Sequence, residues 1–61
     1  MKLYLTATQV SESEWVLVLP DATETGDDPF PTAEDALNAA SWFLTDEGLY
    51  HQVIGNEVYL M

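Results

Sequence analysis

The stretch LYLTATQV, residues 3–10, alternates with β-branched and apolar character, the two-residue period of a strand. An unbroken strand would put Leu3, Leu5 and Ala7 on one face and Tyr4, Thr6 and Thr8 on the other. SESE (residues 11–14) is a polar turn. WVLVLP (residues 15–20) is a nearly continuous apolar run, the pattern of a strand buried along most of its length. Pro20 ends it, because proline has no N–H to give to a sheet ladder. The two runs predict an antiparallel hairpin.

Residues 21–31 are punctuated by Gly26, Pro29 and Pro31 and predict a loop. Thr32 then opens Thr-Ala-Glu-Asp, the spacing of a capping box, with Asp35 in the place of the usual Glu. Glu34 and Asp35 would sit in the first turn, where carboxylates complement the helix dipole. The helix is expected from Ala33 to about Asp46, with Gly48 as its stop. At about 100° per residue, Ala33, Ala36, Leu37, Ala40, Phe43 and Leu44 fall in a stripe about 120° wide, and the alanines permit close approach to a sheet. After Gly48, LYHQVI and EVYLM flank Gly55-Asn56, and a Gly-first two-residue loop suits a type II′ hairpin. The order is β-β-α-β-β: one α+β domain over residues 1–61, with a helix covering one face of a small antiparallel sheet. The terminal strands, at Leu3 and Met61, are expected as edges able to pair between subunits, which leaves a homodimer open.

Length and composition narrow the means of folding. Sixty-one residues lie near the lower limit for an unstapled domain, and with no Cys there are no disulfides or thiolate metal sites. One His argues against structural zinc. The 48% hydrophobic content supports a small core and opposes wholesale disorder. No apolar run is long enough to span a bilayer and no basic segment precedes an apolar one, so a cytoplasmic protein is expected.

Charge changes the picture more. Eleven acids face a single base, Lys2, for a net charge of −10, and six of the acids lie within PDATETGDDPFPTAED, residues 20–35. Binding to nucleic-acid phosphates needs a Lys/Arg footprint, so neither direct nucleic-acid binding nor an anionic membrane surface is expected. The same charge attracts cationic surfaces.

Candidate chemistry follows from what is left. A catalytic nucleophile–base set would have to pair His51 with a Ser or Thr, and a satisfied sheet histidine sharing a face with Leu49 and Val53 is the simpler account. No Gly-rich phosphate loop or nucleophile elbow occurs, and no enzyme is expected. Asp21, Glu24, Asp27 and Asp28 are hard oxygen donors, but their spacing is not that of a calcium loop, so neither metal nor cofactor is expected. Trp42 falls opposite the apolar stripe, beside Asp35, Asn38 and Asp46. It either folds back over the acidic loop, against Phe30 for instance, or serves as an interface anchor. Trp15, opening its strand, reads as core or edge cover.

EWVLVLPDATETGDDPFPTAEDALNAA resembles the HicB-type antitoxin pattern: a strand ending in Pro20-Asp21, a polar stretch with Gly26-Asp27, then a Thr32-capped helix carrying Glu34, Asp35, Ala36, Leu37, Ala39 and Ala40. The chain departs from that pattern in having no apolar third strand between Asp21 and Thr32. This resemblance implies a small basic toxin ribonuclease as partner. The succession of hairpin, Trp-bearing T-x-[ED]-[ED]-A-L helix and returning strand, from Trp15 to Val53, is also similar to small phage inhibitors of bacterial RNA polymerase. Small acidic single-domain proteins are common among phage inhibitors generally, anti-CRISPR proteins included.

Both resemblances lead to one expectation, a non-enzymatic protein that binds a basic, nucleic-acid-handling protein and blocks it, with nucleic-acid mimicry as a candidate means, in the host cytoplasm if phage-encoded. Its face would combine Asp35, Asn38, Trp42 and Asp46 with Asp21, Glu24, Asp27 and Asp28. The alternative is a structural or dimerising acidic domain, or one adapted to high salt.

Overall fold

The computed structural model describes residues 1–61. In order they form β1 (Lys2–Ser11), β2 (Glu14–Val18), α1 (Ala33–Asp46), β3 (His51–Ile54) and β4 (Glu57–Leu60). The strands make one four-stranded antiparallel sheet in the order β2-β1-β4-β3, with α1 packed on one face. This is the small α+β fold that the hydrophobic pattern predicts.

The terminal strands are not the edges. β1 pairs with β4 in the centre of the sheet, Lys2 opposite Leu60 and Leu5 opposite Val58, and the edges are β2 and β3. The expected strand alternation is also interrupted. Leu3 lies opposite Tyr59 and Leu5 opposite Val58, so an extra residue, Tyr4, bulges β1. The bulge lets Tyr4 pack against the core cluster, whereas Leu3 falls opposite Tyr59 on the other face.

The core is Leu5, Ala7, Leu17, Ala36, Ala40, Leu44 and Val58. Ala36, Ala40 and Leu44 are spaced four residues apart along α1, which sets their Cβ atoms in one line against the sheet. Ala33 and Leu37 flank that line half-buried, but Phe43, counted in the stripe from sequence, is 52% exposed. Val16 is buried too, on the opposite face, since its neighbour Leu17 points to the helix.

Both helix ends are closed by local chemistry. Thr32 Oγ1 accepts the Asp35 N–H at 3.1 Å. At the other end Gly48 takes φ +75°, the Gly48 N–H donates to the Thr45 carbonyl (3.0 Å), and the Leu49 N–H donates to Leu44 (2.9 Å). These are the two bonds of a Schellman motif, and they delay β3 until His51. Gly55 has φ +60° while Asn56 has no positive φ, as the first and second central residues of a type II′ turn require.

Candidate functional site

The loop between β2 and α1 does not stand free. The N–H of Trp15 donates to the Phe30 carbonyl (2.7 Å) and the Phe30 N–H returns to Trp15 (2.8 Å). The N–H of Thr25 donates to Leu17 (3.0 Å) and that of Leu19 to Thr23 (2.8 Å). The loop therefore runs antiparallel along the outer edge of β2 and pairs with both backbone groups of Trp15, the Leu17 carbonyl and the Leu19 N–H without forming a regular strand. Trp15, half-buried, packs against the core with Phe30, which agrees with a core or edge-covering role.

This docking fixes where the acids point. Asp21 accepts the Thr23 N–H at 3.0 Å, and hydrogen bonds from Thr23, the side chain foremost, hold its carboxyl below the usual value. Glu24 lies opposite Val18 at the sheet edge. Asp27 accepts from Thr25 Oγ1 at 3.0 Å. Asp27 and Asp28 border a cavity of about 680 Å³ between the loop, the sheet and α1.

On α1, Trp42 is 79% exposed and does not fold back over the loop. It shares a shallow depression with Ser41, Thr45 and Asp46. Asp35 and Asn38 are exposed as well, so all eight residues singled out from sequence are open to solvent. They fall in three places. Trp42 and Asp46 share a depression on the outer helix, the element that also carries Asp35 and Asn38, Asp27 and Asp28 border the cavity on the flank of that helix, and Asp21 and Glu24 stay on the loop along β2.

His51 is satisfied within the fold. Ser41 Oγ lies 2.7 Å from Nε2, and Nδ1 lies 3.2 Å from the Leu49 carbonyl oxygen. Because that carbonyl can only accept, Nδ1 carries the hydrogen and Nε2 accepts from Ser41 when the ring is neutral. The pair ties α1 to the edge strand β3. No three His, Asp or Glu side chains converge as metal ligands would. No helix is long and apolar enough to cross a membrane.

Sequence reasoning missed Phe30, Ala39 and Phe43 as parts of a common surface. The visible signal was Phe43 at the margin of the apolar stripe, next to alanines too small to cover it. No family model, curated protein or solved structure matches this chain.

Proposed function

We propose that this protein is a non-enzymatic, acidic inhibitor that occupies the basic surface of a nucleic-acid-handling protein, in the manner of phage host-takeover or anti-defence proteins. The observation that carries the reading is Trp42, 79% exposed on the polar side of α1 among carboxylates. An indole left there contributes little to folding, and exposed indoles are enriched among interface hot spots. The net charge of −10 would steer a cationic partner onto this face, and Trp42 would supply much of the short-range energy. Replacing an acid buried at the interface would cost about 2–5 kcal/mol, much of it from the partner charge left unpaired, while replacing one at the rim would mainly slow association. A basic toxin ribonuclease, the partner that the antitoxin resemblance implies, belongs to the same class of target.

The test is capture from host lysate at low salt, followed by assay of the captured protein's activity on nucleic acid. The wild type should retain a basic protein and inhibit it, and should release it as salt rises. Trp42→Ala combined with Asp27→Lys and Asp28→Lys should lose both effects while keeping the fold. Undiminished inhibition by that variant would exclude this face, and failure to retain any basic protein at modest ionic strength would exclude the function.

The bare edge of β3 favours a second reading, a dimerising acidic module. Residues 48–56 carry no charged side chain, and β3 has neither a Pro nor a bulge to deter pairing. Gln52 sits in the hydrogen-bonded register with Tyr59, which turns the N–H and C=O of His51 and Val53 outward. Two copies related by a two-fold axis at Gln52 would set His51 opposite Val53 twice over. Sedimentation of the wild type and Val53→Lys at high concentration and molar salt decides it: this reading requires a dimer that the substitution dissociates.

A further inference from the structure

The cavity beside Asp27 and Asp28 has a composition that the outer helix face lacks. Of the eleven residues around it eight are apolar, and the other three are Thr25, Asp27 and Asp28. Buried Leu5, Leu17 and Ala40 form its floor, while Phe30 and Phe43 stand at its borders, Phe43 52% exposed. The space exists because α1 presents Ala39 and Ala40 here, and a methyl group does not reach across to β2 and the loop. Its volume, about 680 Å³, is in the range of ligand clefts, and it stands open to solvent on one side. The only charged side chains on it are two carboxylates, and the Thr25 hydroxyl holds one of them in place.

We infer that this groove receives an apolar side chain flanked by arginine or lysine on a partner protein. The inference rests on the function proposed above and adds the recognition element: the apolar group is desolvated on the floor while its cationic neighbours meet Asp27 and Asp28. Charge complementarity selects this occupant. An acidic or neutral segment with the same apolar residue would leave the two carboxylates unpaired at the mouth, and a purely basic segment would leave the floor unfilled.

Three synthetic peptides of equal length separate the contributions: alternating Arg/Leu, Arg/Ser and Glu/Leu, each titrated into ¹⁵N-labelled protein. The Arg/Leu peptide should bind at least tenfold more tightly than either of the others and should shift the amides of Asp28, Phe30, Ala39 and Phe43. Ala39→Leu, which fills the groove, should erase the advantage of Arg/Leu over Arg/Ser and leave the Arg/Ser affinity intact. Should that variant not fold, Asp27→Asn with Asp28→Asn on the exposed loop serves instead, and it should bring Arg/Leu down toward Glu/Leu.

Equal binding of Arg/Leu and Arg/Ser, or shifts confined to the outer helix face, would overturn the groove as a receptor. The two proposals fail separately. Peptide binding in the groove without inhibition of any basic protein retires the function alone, and inhibition untouched by Ala39→Leu retires the groove alone.

Discussion

Ala22 is the only non-glycine residue with a positive φ, 71°, in the turn where Asp21 accepts the Thr23 N–H. Its Cβ crowds the backbone there, whereas Gly48, at φ +75°, has none to crowd. The two positions therefore predict opposite signs. Gly48→Ala should destabilise by about 1 kcal/mol, although the added Cβ would meet no atom within 4 Å, because the cost is conformational. Ala22→Gly should stabilise by about 0.5 kcal/mol, the relieved strain slightly exceeding the flexibility gained by the unfolded chain. Urea denaturation of both variants checks the pair.

A third residue gives a pH dependence. Tyr59 Oη donates to Glu57 Oε1 at 3.0 Å, and this bond, aided by desolvation and the carboxylate's charge, raises the phenol above its ordinary value near 10. A raised folded-state value means stability that is intact below the unfolded phenol's pKa and is lost as pH climbs through the folded one. Glu57→Gln should bring the Tyr59 titration back toward the ordinary value, read from phenolate absorbance in a background lacking Tyr4 and Tyr50. The signals at Thr32, Gly48 and Gly55 were legible in sequence because each acts within its own turn. Phe43 was not, because its exposure depends on what lies across from it.

Element boundaries follow the same division. The limits of α1 agree with the prediction at both ends, since a capping threonine and a Schellman glycine are local signals. Strand order was not legible. Two apolar runs and two half-polar ones can be arranged in several ways, and only pairing between distant parts of the chain places β1 beside β4. The bulge at Tyr4 is similarly hidden, for it arises from the offset between those two strands.

The pattern at residues 21–31 predicts a loop and nothing more, and its backbone bonds make that loop a cover for the edge of β2. Phe30 is what fastens it. Phe30→Ala should cost about 1–2 kcal/mol, less than a fully buried phenylalanine because the ring is only half-covered. Hydrogen exchange should show the Trp15 amide, bonded to the Phe30 carbonyl, losing protection before the amides paired between β1 and β4.

At the scale of the molecule, charge was fully legible and its purpose was not. Side chains carrying ten net negative charges within one small domain repel each other, and added salt screens that repulsion. Raising the medium from low to molar salt should stabilise the fold on the order of 1 kcal/mol, about 4–8 °C in Tm for a domain of this size. The starting point discriminates: an inhibitor that works at cellular ionic strength is already folded at low salt, whereas a salt-adapted domain is not. Calorimetry across a salt series measures both.

The position of β4 between β1 and β3 has a consequence for cooperativity. β1 has its hairpin partner β2 within a few residues, but its other neighbour lies far along the chain, and Val58 on that neighbour is wholly enclosed by the finished core. Without residues 57–60 one side of β1 has no ladder and the helix loses part of its floor. Cutting those few residues away should therefore dissolve the whole unit rather than fray one strand, because no smaller part of it closes a core.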